Sequence, residues 1–268
     1  ACSSLGAFDT VIPHDGHTRR VVHSASFGPD PLQRLDVYAP AGPQAGPLPV
    51  IVFIHGGSWA TGSKDGYSFL GDAFASRGFV TVVTSYRLVP RVRFPVFNED
   101  AANAVAWTHD HIAQHGGDPN RVVLVGHSAG GYIAAMLGLD GHYLADAHAG
   151  RVRGVVGLAG PYDFYPFDVD STRDAFGQAS DPQLTQPVHY ARADAPPMLL
   201  LWGDADTTVG RKNIVNLERV QRAAGGQVDS KIYPDVTHVG LLLALARPFR
   251  GRAPVLDDVC AFAQRVTA

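Results

Sequence analysis

Five apolar runs without polar alternation, at residues 50–54, 79–84, 122–125, 152–158 and 198–202, constrain this chain more than any other feature. A strand with one wet face alternates apolar and polar residues, whereas a strand covered on both faces can be β-branched throughout, as in Val50-Ile51-Val52-Phe53-Ile54. Helical patterns fall at 67–77, 98–115, 129–139, 213–224 and 254–266. Strands alternating with helices imply right-handed βαβ units and a mainly parallel sheet. Two further strands, 21–27 and 35–38, flank the turn Gly28-Pro29-Asp30-Pro31 with no helix between them, so they form an antiparallel edge. A last strand is expected at 229–233. The fold class is α/β, with a mainly parallel twisted sheet of about eight strands flanked by helices.

The 268 residues suit one domain, expected over 21–268 behind an irregular polar tether at 1–20. Residues 160–197 are rich in Pro, Asp and aromatic side chains and lack periodicity. A segment of that kind between two core strands predicts a small lid insert that covers substrate. A net charge of −3 argues against a nucleic-acid partner, which normally requires a basic footprint. No run of about eighteen apolar residues exists to span a membrane. Two cysteines make no disulfide framework; Cys260 sits in a helical pattern as a buried thiol. Cys2 follows a small residue and precedes a polar stretch, which resembles the end of a bacterial lipoprotein signal. A lipid anchor at Cys2 in a periplasmic protein is therefore one expectation, and a cytoplasmic chain the other.

The motif with most chemical content is Gly126-His127-Ser128-Ala129-Gly130, between an apolar strand and a helical pattern. A serine at such a sharp strand-to-helix turn takes strained backbone angles, and glycines two residues either side permit the close approach. The turn lifts the hydroxyl above the sheet at a helix N-terminus, where the Ala129 N–H and the helix dipole favour developing negative charge. Ser128 is the candidate nucleophile. Strand 50–54 runs into His55-Gly56-Gly57-Ser58-Trp59, a loop whose glycines let N–H groups turn inward; Gly57 and Ser58 join Ala129 as candidate oxyanion donors. His55 is expected to organise this loop.

The strand–G-x-S-x-G–helix motif resembles that of the α/β-hydrolases, and the resemblance implies an acid and then a histidine after the serine in chain order. Strand 198–202 leads into Gly203-Asp204-Ala205-Asp206-Thr207-Thr208-Val209, and strand 229–233 into Pro234-Asp235-Val236-Thr237-His238. Both turns fall at the carboxyl ends of parallel strands, where such sheets place their sites. His238 is the candidate base and Asp206 its orienter, with Asp204 bonding the turn backbone and Asp235 the other competitor. His111 and His115 share a helical face at metal-pair spacing, but without a third ligand they read as surface residues. No metal and no organic cofactor is called for.

Together these motifs, with Gly131, Asp118-Pro119-Asn120-Arg121 and the Phe94-Pro95 to Glu99-Asp100 stretch, resemble the carboxylesterases of the α/β-hydrolase superfamily over roughly residues 30–266. The nearest likeness is to bacterial esterases similar to hormone-sensitive lipase and to arylformamidases. His127 stands where the former branch has Asp, and Gly-Gly-x-Trp leans toward the formamidase and feruloyl-esterase-like side. The resemblance implies a serine carboxylesterase cleaving small-molecule esters of short to medium or aryl type through an acyl-enzyme. The alternatives are an arylformamidase or amidase, and a non-catalytic binding protein on the same fold. Trp59, Tyr162, Phe164, Tyr165, Phe167 and Phe176 are the candidate pocket walls.

Overall fold

The computed structural model describes residues 4–268; Cys2, the candidate anchor, lies outside them. Eight strands form one sheet: β1 Thr18–Ser26, β2 Arg34–Pro40, β3 Leu48–Ile54, β4 Val80–Thr84, β5 Gly117–His127, β6 Val152–Leu158, β7 Met198–Gly203 and β8 Val228–Tyr233. Their order is β1-β2-β4-β3-β5-β6-β7-β8. β1 and β2 are the antiparallel edge, β2 also runs antiparallel to β4, and every other pairing is parallel. This is the mainly parallel sheet with an antiparallel edge expected from the uninterrupted apolar runs and the helix-free 21–38 stretch.

The α-helices are α1 Ser4–Val11, α2 Ser68–Ala75, α3 Val96–His111, α4 Ala129–Leu139, α5 Asp146–Ala149, α6 Asp170–Phe176, α7 Lys212–Ala223, α8 His238–Leu243 and α9 Val255–Val266. Strands β4 and β7 are buried at every position, which is the physical reason their sequences carry no alternation. Helix α4, AGGYIAAMLGL, is buried along its whole length, as a helix apolar all round must be. It carries the segment behind Ser128 across the centre of the molecule.

Two regions differ from expectation. Residues 4–11 are helical where an irregular tether was anticipated. Asp9 accounts for the docking: its carboxylate accepts the first backbone N–H groups of α2, from Ser68 (3.2 Å) and Phe69 (2.7 Å), which otherwise have no helical partner. Phe8 packs edge-on against Phe69 and stacks on Phe249. Residues 160–197 are also not structureless, holding α6 and two 3-10 turns, Pro182–Thr185 and Pro187–Tyr190. Two buried amides fasten this insert. Asn213 Oδ1 accepts from Tyr162 N and Asp163 N, both at 2.8 Å, and Gln186 Oε1 accepts from Phe164 N (2.6 Å) and Tyr165 N (3.1 Å). Among the described residues no helix is long and apolar enough to cross a membrane.

Candidate active site

Ser128 sits between β5 and α4 with φ 55° and ψ −121°, a strained conformation for a residue with a side chain. The flanking glycines make it possible. A Cβ at Gly126 would fall 2.0 Å from the Gly130 carbonyl oxygen, and one at Gly130 would fall 2.0 Å from the Ile54 carbonyl oxygen. The elbow is thus pressed against the end of β3, where the His55–Trp59 loop begins.

Chain segments far apart in sequence meet at this serine. His238 Nε2 lies 2.9 Å from Ser128 Oγ, and His238 Nδ1 lies 2.7 Å from Asp206 Oδ2. An ionised carboxylate only accepts, so Nδ1 carries the ring proton and Nε2 is left to accept from the serine hydroxyl. The other carboxylate oxygen of Asp206 accepts from Thr208 N (2.8 Å) and Val209 N (2.9 Å). Burial alone would raise the Asp206 pKa, but the His238 hydrogen bond and the Val209 and Thr208 amides outweigh it and hold the carboxyl below its usual range. Asp204 does different work: its Oδ1 accepts from Asp235 N at 2.7 Å and secures the turn after β8, where Asp235 takes φ 57°. The order Ser, Asp, His along the chain becomes a linear file of three side chains in space.

Opposite the file, Gly57, Ser58 and Trp59 all take positive φ, at 117°, 52° and 58°. A Cβ at Gly57 would lie 2.3 Å from the Thr61 carbonyl oxygen, so only glycine fits. The amides of Gly57, Ser58 and Ala129 donate to no other described residue, while Ala60 and Thr61 amides return to the Gly57 carbonyl at 3.0 Å. His55 lies fully buried beneath the loop, 2.6 Å by Nδ1 from the Gly56 carbonyl oxygen and stacked on Tyr86 at 4.4 Å. Burial lowers its pKa to about 4, so it is a neutral support.

The aromatic candidates separate into three environments. Trp59 is buried and rings with Phe176 (4.8 Å), Tyr132 (5.6 Å) and Phe164 (6.0 Å). Phe164 and Phe167 are half-buried at the edge of that cluster, and Tyr165 stands 41% exposed against Phe167. Tyr162 is buried elsewhere, its ring packed on Gly157 and Gly160 beside β6. His111 and His115 are half-buried; His111 lies against Trp107. Sequence reasoning assigned no part to Tyr132 or Phe97, neither of which is itself a motif residue, and noted His127 only as a departure from one branch of the resemblance.

The comparisons with known proteins agree with this architecture. Residues 35–220 match the BD-FAE family model. The chain belongs to the BD-FAE family. The match covers Gly57, Ser128 and Asp206, and ends before His238. Among curated relatives of this BD-FAE member, Esterase LipC of Mycobacterium tuberculosis is 31% identical over 244 residues, covering 80% of this chain and 58% of that protein. Isoprenylcysteine alpha-carbonyl methylesterase ICME of Arabidopsis thaliana is 28% identical over 267 residues, covering 90% and 62%. The chain thus spans about three-fifths of the length of these two curated relatives. Among solved structures, esterase B from Lactobacillus rhamnosis bearing a C4-C4 tributyrin phosphonate superposes with TM-score 0.84 at 19% identity, over 98% of this chain and 90% of that one. A truncated carbohydrate esterase from gut microbiota superposes at 0.81 with 20% identity, over 96% and 99%. These likenesses place the BD-FAE chain in the α/β-hydrolase fold.

Proposed function

We propose that this protein hydrolyses carboxylic esters, with Ser128 as nucleophile, His238 as general base and acid, and Asp206 as orienter. The observation that carries the reading is the unbroken file from Ser128 Oγ through His238 to Asp206, at 2.9 and 2.7 Å, together with three backbone amides that donate to no other described residue. Ser128 Oγ attacks the ester carbonyl while its proton passes to His238 Nε2, and the Gly57, Ser58 and Ala129 amides take the charge that develops on oxygen. His238 returns the proton to the departing alcohol. Water then repeats the sequence on the acyl-enzyme and releases the acid. Asp206, held ionised, stabilises the imidazolium formed in each half-reaction.

Behind the oxyanion loop, Trp59, Phe97, Tyr132 and Phe176 pack at ring distances of 4.8 to 6.5 Å, all at most 3% exposed, so the acyl side takes a short chain. Val239, next to the base in the chain, is 53% exposed and supports room for a larger leaving alcohol. The insert, tied to α7 through Asn213 and internally through Gln186, serves as one wall of the site. The names of the curated relatives, esterase and methylesterase, support this class. The test is a rate panel on aryl esters of increasing acyl length, with an N-formyl aryl amide for the amidase alternative, comparing wild type with Ser128→Ala. Turnover that peaks at acetyl or butyryl and vanishes in the variant is the expected result. A rate that survives in Ser128→Ala overturns it.

A further inference from the structure

His127, inside the elbow motif, has no part in the proton transfers just described, yet its position is closely specified. It is the last residue of β5, in parallel register with Leu158, and 5% exposed. Its Nε2 lies 3.0 Å from the main-chain carbonyl oxygen of His238, a residue 111 positions further along the chain. A carbonyl only accepts, so Nε2 carries the proton. The His127 ring also lies 4.8 Å from the His238 ring, tilted by 42°. The oxyanion loop also lies against it: a Cβ at Gly56 would meet the His127 carbonyl oxygen at 2.9 Å and Nδ1 at 3.4 Å.

We infer that His127 is a positioning residue, tying the main chain of the base to the main chain of the nucleophile through its Nε2–H and the His238 carbonyl. The inference rests on the reading of Ser128 and His238 as nucleophile and base. His238 opens the short helix α8, whose start is otherwise secured by local bonds, Gly240 N to Thr237 Oγ1 (3.0 Å) and Leu241 N to the Thr237 carbonyl (3.0 Å). Asp206 and Ser128 hold the imidazole; His127 holds the backbone that carries it. Because His127 adjoins Ser128 directly, one rigid ring sets the span across which Oγ and Nε2 must meet. The tie survives acidification. Burial first, and then the charge of His238, push the His127 pKa down to about 3 against the smaller opposing pull of its His238 hydrogen bond and of Asp206. His238 and Asp206 are the charged groups acting on it, and it faces the imidazolium as a neutral donor.

Reacting groups misplaced by about 1 Å can lose on the order of 100-fold in rate. His127→Leu, which keeps the volume and removes the donor, is expected to lower kcat about 10- to 100-fold with KM nearly unchanged. His127→Gln, whose side-chain amide reaches as far as Nε2, is expected to restore most of the loss, and the shorter His127→Asn is not. Each variant is compared with wild type in aryl-ester turnover and in the rate of Ser128 labelling by a fluorophosphonate, read by mass spectrometry. Wild type that neither turns over ester nor labels at Ser128 defeats the underlying reading. Wild type that does both, with His127→Leu equal to it, overturns the positioning role alone. If His127→Leu does not fold, the Gln and Asn pair decides: equal rates overturn the inference, and a faster Gln variant supports it.

Discussion

The two ends of helix α4 differ in what is left for their backbone groups to do. At its N-terminus, on the carboxyl edge of the sheet, the Ala129 amide and the oxyanion-loop amides are left without a described partner around a half-buried serine. At its C-terminus, on the opposite edge, lies a cavity of about 950 Å³ between the starts of β6, β7 and β8, lined among others by Arg153, Arg192, Arg222 and Arg265. Those guanidinium groups are already engaged. Arg192 donates to the Gly138 and Leu139 carbonyls (3.0 and 2.8 Å) and pairs with Asp194, Arg265 pairs with Asp229, and Arg153 donates to the Asn120 carbonyl. The helix dipole is used oppositely at the two ends: in the proposed reaction its positive end is left free for a reacting oxygen, and its negative end is neutralised by arginine. Volume follows from where elements diverge, whereas chemistry needs unsatisfied donors that converge.

That contrast can be broken in several ways. The largest expected effect is at the serine: Ser128→Ala should lower kcat by about 10⁴-fold or more, measured on the best aryl ester. Asp206→Asn should cost about 10³- to 10⁴-fold by releasing the His238 tautomer, with the fold intact by circular dichroism. Gly57→Ala forces a Cβ toward the Thr61 carbonyl and turns a donor away, for a loss of about 10²- to 10³-fold in kcat. At the other end, Arg192→Ala uncovers two carbonyls and should cost roughly 1–3 kcal/mol in urea denaturation while leaving kcat within about twofold. A kcat loss there as large as at Gly57 would mean that the two edges are coupled.

The smallest effect is a pH dependence of stability. His55 and His109 are held at pKa values of about 4, and His127 at about 3, by burial before any other cause. In the unfolded chain they titrate near 6.5, so between that value and about 4 the unfolded state binds more protons. Their contribution to stability is complete above about pH 6.5 and is lost as pH falls through the folded values. Thermal melting from pH 7 to 4 should show a falling Tm, and His55→Asn should reduce the slope. A Tm independent of pH over that interval overturns the assignment.

Much of the frame was legible because it is local. Short uninterrupted β-branched runs bounded by turn residues suit strands covered on both faces, and Gly126 and Gly130, set between such a strand and a helical pattern, suit a turn whose backbone approaches its neighbours closely. The docked helix α1 was not legible, since its anchor is Asp9 capping α2 some sixty residues away, and no nearby residue signals it. The same holds for Gln186 and Asn213, ordinary polar residues until the fold places each carbonyl oxygen beneath two consecutive amides of the insert.

By itself, then, the order of residues determined the parallel sheet, the strained turn at Ser128, and the turns on which Asp206 and His238 lie. Those depend on periodicity, glycine sterics and chain order, which act over a few residues. Only the tertiary structure decided that the three side chains meet at 2.9 and 2.7 Å, that Tyr162 turns into the core while Trp59 backs the oxyanion loop, and that His127 reaches the carbonyl of His238. Such contacts join segments tens to more than a hundred residues apart, and their distances are set by how whole layers pack.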